Sequence, residues 1–236
     1  MNQHGAWRAP LIVGVAVVLV AGCSLTDRKI SGTASPQSTG AVPPTATSAA
    51  ARPIDDAGLP RLLGSPSEIS DLVGVAMMPE AIFRKPDTKL RVDPIRCLEA
   101  VMPALDTIGY YRRTGFAAQL LHGDQHAQVV QAVAAFPSDS EAADFREATT
   151  RHWRSCQNQQ AIITGGQDAL TYALDRVDSV DSVASVSMSG TARDGTPVPC
   201  QHSLGARRNV AIDVRVCGPN VGNKGRDLVA KIAAGL

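Results

Sequence analysis

Residues 199–218 read PCQHSLGARRNVAIDVRVCG. Val210, Ile212, Val214 and Val216 alternate with Ala211, Asp213, Arg215 and Cys217, the period-two pattern of a strand with one buried face. Residues 199–205 form a second strand-like run, and Arg208-Asn209 lies where a hairpin must turn. A two-residue turn there sets Arg207 opposite Val210 and carries Cys200 opposite Cys217, at a Cα separation of about 5 Å that a disulfide accepts. The same register sets Leu204 against Asp213, on the face that the alternation marks as polar. That mismatch argues for a bulge or a longer loop that shifts the pairing.

Outward from this hairpin, further runs read as strands: 116–121, 127–136, 161–164, 170–177 and 183–191. The run 127–136, AQVVQAVAAF, is almost wholly apolar and belongs inside a sheet. Between the strands lie helix starts. Ser65-Pro66-Ser67-Glu68 combines an N-cap, a proline at the first helical position and a glutamate that completes a capping box, and Gly74 stops the helix. Ser138-Asp139-Ser140-Glu141 repeats the box and opens a helix with Ala142, Phe145, Thr149, Trp153 and Cys156 on one face. A third start at Asp93-Pro94 is followed by Cys97, Val101 and Leu105 at helical spacing, although Pro103 argues for a break. Residues 227–236 close the chain with a helical stripe. Helices and strands cluster rather than alternate, which favours an α+β fold with an antiparallel sheet packed against helices.

The N-terminus carries a different message. Residues 11–20, LIVGVAVVLV, are an unbroken apolar run of ten, too short for the roughly 20 residues of a membrane span and suited to a signal peptide. Ala21-Gly22-Cys23 follows, and Cys23 after small residues resembles the bacterial lipobox, which implies cleavage before Cys23 and acylation of its thiol. The expected organisation is a signal peptide over 1–22, a lipidated Cys23 with a tether over 23–58, and a folded domain over 59–236. The tether is rich in Ser, Thr, Ala and Pro and too poor in large apolar residues to offset its ordering entropy. Its composition also resembles O-glycosylated stalks. The expected location is the extracytoplasmic face of the cell membrane, with the bilayer a partner through the lipid alone.

With Cys23 set aside, four of the five cysteines remain: Cys97, Cys156, Cys200 and Cys217. In an exported protein an even set reads as disulfides. Since the hairpin joins Cys200 to Cys217, Cys97 pairs with Cys156.

Three stretches carry a resemblance to a known family. They are RRNVAIDVRVCG over 207–218, VVQAVAAF over 129–136 running into the Ser138 helix, and HWRSC over 152–156, together with Cys97 and Cys200. The chain resembles the PknH-like extracellular sensor domain, found in mycobacterial lipoproteins and on the outer end of a receptor Ser/Thr kinase. The resemblance implies an α+β domain with the two disulfides above and a cleft for an extracellular ligand.

Composition narrows the remaining classes. The net charge is +1 over 236 residues, which gives no electrostatic footprint for nucleic acid. No nucleophile elbow, phosphate loop, H-E-x-x-H, H-R-D or D-F-G motif occurs, so neither an enzyme nor a cofactor is expected. His122 and His126 flank a turn and read as surface histidines, so no metal is expected either. His152 stands near Cys156, but a disulfide leaves no thiolate to activate. Trp153 reads as core. Asp213 is either solvent-facing in mid-strand, or lines the cleft, or anchors a neighbouring loop; Arg207 and Arg208 at the hairpin tip are a solvated turn or meet an anionic ligand or lipid head group. These three are the candidate ligand residues. The resulting expectation is a non-enzymatic, lipid-anchored module that binds a small molecule or envelope component. The alternative is an interaction protein that docks on another envelope protein.

Overall fold

Four helix starts and nine strands order themselves along the chain in a computed structural model that describes residues 52–86, 91–103, 112–164, 170–191 and 195–236. The signal peptide, Cys23, most of the tether, and Leu105 lie outside the described residues. The strands are β1 (Met77–Pro79), β2 (Arg91–Asp93), β3 (Gly115–Gly123), β4 (Gln128–Ala135), β5 (Gln160–Thr164), β6 (Leu170–Val180), β7 (Val183–Thr191), β8 (Pro197–Arg207) and β9 (Val210–Cys217). The helices are α1 (Pro66–Val73), α2 (Leu98–Val101), α3 (Asp139–Cys156) and α4 (Lys224–Ala234).

The strands form one antiparallel sheet in the order β1-β3-β4-β9-β8-β7-β6-β5-β2. The hairpin register is the unshifted one: Arg207 pairs with Val210, Leu204 with Asp213 and Cys200 with Cys217. No bulge intervenes, because the premise of a single buried face is wrong. Every residue of β9 is buried, and helices cover both of its sides. Under α3 lie Ala211, Cys217 and Leu204, in one core with its Phe145 and Trp153. Under α1 and α4 lie Val210, Ile212, Val214 and Val216 against Ile69, Leu228, Val229 and Ile232. Each aliphatic side chain fully buried there contributes about 1.5–3 kcal/mol.

Local chemistry sets the helix ends. Ser65 Oγ accepts the Glu68 amide and Glu68 Oε2 accepts the Ser65 amide at 2.9 Å, so α1 opens on a complete capping box. The α1 helix closes at Gly74, whose φ of 76° is left-handed and costs glycine nothing. Ser138 Oγ accepts the Glu141 amide, and here Glu141 takes the serine hydroxyl. All five residues expected on the inner face of α3 are buried. The expected helix after Asp93 is shorter than its spacing suggests: a 3-10 turn over Ile95–Cys97 runs into α2, which ends before Pro103.

Both disulfides form, Cys97–Cys156 with Cα atoms 5.3 Å apart and Cys200–Cys217 with 4.0 Å. All four cysteines sit in the core under α3. Packing extends upstream of Leu59, where the Asn209 side chain bridges the backbone N–H and C=O of Ile54 and Phe116 N donates to Asp56 Oδ1. Among the described residues no helix is long and apolar enough to cross a membrane.

Candidate functional site

Beneath α3 the alternation of β8 and β9 aims His202, Asp213 and Arg215 at the same side of the sheet, and all three are buried. His202 and Asp213 are diagonal neighbours, because Leu204 faces Asp213 and His202 faces Arg215. The His202 ring lies against Trp153 of α3 with centroids 4.2 Å apart. Its Nδ1 lies 2.9 Å from the carbonyl oxygen of Ala100, and its Nε2 lies 2.6 Å from Asp213 Oδ1. A carbonyl only accepts, so Nδ1 carries a proton, and a second proton lies between Nε2 and the carboxylate. Imidazolium facing carboxylate and imidazole facing carboxylic acid are both neutral overall. Asp213 is therefore held directly by His202.

Two residues further along β9, Arg215 is 4% exposed. Its Nη1 donates to the carbonyl of Val101 at 2.8 Å and lies 2.7 Å from Met102 Sδ. Its Nη2 donates to Gln128 Oε1 at 2.5 Å, while Nε is buried with no partner among the described residues. Burial pushes the guanidinium below its ordinary value, and the nearness of Tyr172 and Asp213 opposes that shift. Two polar side chains of the sheet thus hold the α2 segment by its carbonyls, His202 at Ala100 and Arg215 at Val101.

A cavity of about 270 Å³ opens at this end of the sheet. Its lining crosses strands through Gln128, Cys217, Val198, Gly190 and Tyr172 and includes His122 and His126. Gly190 has a reason to be glycine: a Cβ there would lie 2.6 Å from Cε1 of the Tyr172 ring. Gln128 is the link inward, since its carboxamide oxygen is held by Arg215 while the residue itself lines the cavity.

The candidate ligand residues do not converge. Asp213 lies on the α3 side and is buried, which corrects its solvent-facing reading. Arg207 is exposed and lines a second cavity, of about 470 Å³, between α4 and the β6–β7 hairpin. Arg208 donates to the carbonyls of Leu236 and Arg52, which ties the two ends of the domain together. In the second cavity Arg226 is matched by Asp178, with contacts of 2.8 and 2.9 Å. His122 pairs with Glu80 and His152 with Glu99, while Cys156 is disulfide-bonded. No cluster suited to a metal ion occurs among the described residues. The sequence reading missed His202, Arg215, Gln128 and Tyr172. Once the register is accepted, the diagonal of His202 with Asp213 is the signal that finds the first two.

Comparison with known proteins places this architecture. The family described as the PknH-like extracellular domain matches residues 54–234. The serine/threonine-protein kinase PknH of Mycobacterium bovis is 27% identical over 192 residues, covering 77% of this chain and 31% of the kinase. The PknH proteins of two Mycobacterium tuberculosis strains match equally, over 30% of their length. The chain thus spans less than a third of the curated relatives it matches. The crystal structure of the extracellular domain of PknH from Mycobacterium tuberculosis superposes with a TM-score of 0.72 at 23% identity, covering 78% of this chain and 97% of that one.

Proposed function

Because the chain belongs to the PknH-like extracellular domain family, we propose that it is a lipid-anchored, non-enzymatic binding module of the cell envelope. On this reading Cys23 carries the lipid, residues 23–58 act as the tether, and the domain holds a small ligand on its α3 side. The sensor-type origin of the domain supports an extracytoplasmic role.

One observation carries the choice of site: Gln128, which lines this cavity with Tyr172, is held by Arg215 of the buried His202–Asp213–Arg215 cluster. Concave sites with a few polar groups converging from a rigid sheet are where small ligands bind, and perturbed ionisable groups mark them further. A volume of about 270 Å³ falls just below the usual range for drug-sized ligands and suits a smaller one. The larger cavity beside α4 lacks such a cluster.

Native mass spectrometry of the chain purified from its own host tests the binding reading. A stoichiometric small molecule that is lost in a Gly190→Val variant is the expected result; ligand-free protein under mild conditions contradicts it. For the anchor, acyl labelling should be present in the wild type and absent in Cys23→Ala.

A specific observation also keeps the docking alternative in play. Met78 is 71% exposed and Phe83 46%, with Ile82 beside them at the β1 edge of the sheet. Cross-linking from residue 83 in intact cells should trap a second envelope protein if that edge is an interface.

A further inference from the structure

The cluster beneath the cavity has an uneven charge balance. Asp213 shares its proton with His202, and the two together are neutral in either arrangement. Arg215 then stands as a fully buried cation whose hydrogen-bond partners are a carbonyl, a thioether and a carboxamide, all of them neutral. A buried charge without a paired opposite charge is costly, and proteins retain one chiefly where something else supplies the balance. Asp213 stands near enough to ease that cost, but its carboxylate bonds His202 while the guanidinium bonds only neutral groups, so the balance is partial.

Gln128 turns this imbalance toward the cavity. Its Oε1 accepts from Arg215, so its Nε2 amide group is the end directed away from the guanidinium. Among the described residues that amide group donates to nothing. Accepting a charged hydrogen bond polarises a carboxamide and strengthens its own N–H donors. The cavity therefore presents a donor primed by a cation behind it, on a lining shared with Val198, Gly190, Cys217 and Tyr172 and with the polar residues His122, His126 and Thr191.

Resting on the reading of this cavity as the ligand site, we propose that its ligand carries a carboxylate or phosphate group, held by Gln128 Nε2 in the field of Arg215. The rest of the ligand is small and lies along Tyr172 and Val198. Specificity comes from charge: a neutral isostere leaves the guanidinium no better compensated than the empty cavity does.

The test uses the full chain in neutral detergent micelles and isothermal titration with benzoate, phenyl phosphate and benzamide. At least one of the two anions should bind about tenfold more tightly than benzamide, the low end for a hydrogen bond to a charged group. Whichever anion is preferred separates a carboxylate ligand from a phosphate ligand. Equal affinity for all three overturns the anion inference and leaves the cavity as a neutral ligand site. No binding by any of them also overturns it, and native mass spectrometry then judges the ligand-site reading by itself.

Arg215→Met removes the cation but threatens folding, so Gln128→Glu is the sharper variant. It brings a carboxylate onto the guanidinium from within the protein, supplying the charge the proposal assigns to the ligand and removing the Nε2 donor that holds it. We expect the variant to melt higher than wild type by about 2–4 °C, and to bind benzoate and phenyl phosphate at least about tenfold more weakly. Saturating anion should raise the wild-type Tm toward that of the variant and leave the variant unchanged. A Gln128→Glu protein that melts lower, fails to fold, or binds anions like wild type contradicts the proposal.

Discussion

The two faces of the sheet share the same strands and are built from opposite chemistry. Toward α1 and α4, β9 presents Val210, Ile212, Val214 and Val216, and the buried glutamines of the neighbouring strands on that face are neutral and bonded. Gln131, for example, bonds both the N–H and the C=O of Gly64 at 2.8 Å, and Gln201 Oε1 accepts from the Arg226 amide. Toward α3 the same strand presents Asp213 and Arg215, and that side holds both disulfides and the 270 Å³ cavity. One face is an ordinary aliphatic core. The other carries charge under two covalent staples, which hold in place elements that a desolvated cation would otherwise weaken.

The largest expected effect follows from the staples. A bridge closing the 59-residue separation of Cys97 and Cys156 contributes about 4 kcal/mol on the loop-entropy model, and the 17-residue separation of Cys200 and Cys217 about 3. Hydrogen exchange on reduced protein should therefore find α3 and α2 amides exposed well before those of α4. Equal loss of protection on both faces would erase the distinction.

Adjacent residues sharpen it next. Ile212→Ala should cost about 3 kcal/mol in denaturant unfolding and leave ligand binding intact. Asp213→Asn should cost a comparable amount by breaking a buried pair, and it should also alter the His202 imidazole NMR signals. If Asp213→Asn leaves those signals unchanged, His202 is not coupled to Asp213.

A smaller effect sits at the start of α1. Ser65→Ala removes the N-cap and should cost about 1 kcal/mol. The capping amide and hydroxyl of Ser65, with Lys231, hold Glu68 down to about 2 from an ordinary 4.5. Its folded value is depressed, so its contribution is complete above the unfolded value and is lost as pH falls from about 4.5 toward 2. Glu68 is half-exposed, so the effect is modest. Glu68→Gln should flatten that part of the stability–pH curve without moving the melting point of the α3 staples.

The sequence revealed the caps, the hairpin turn, the long strands and both disulfides, because each is a local or pairwise constraint. It concealed how the helices divide between the two faces of the sheet. Alternation of Val with Asp and Arg looks like a water-facing side, yet here the polar positions face a helix. The pairing of Leu204 with Asp213 was the clue: an apolar residue opposite an acid meant that both faces were covered. Strands β1 and β2 stayed hidden because three residues give no period, and their partners lie far away in sequence. Gln128 and Tyr172 escaped for a related reason, since only the folded sheet brings β4, β6 and β9 to one cavity.

Mapping backbone amide chemical shifts during a benzoate titration tests the central claim most directly. If the α3 side is the ligand side, the shifts concentrate at Gln128, Tyr172, Gly190 and Cys217, with Val229 and Ile232 of α4 unmoved. Shifts centred on Arg207, Arg226 and Val229 would move the site to the opposite face and contradict the account.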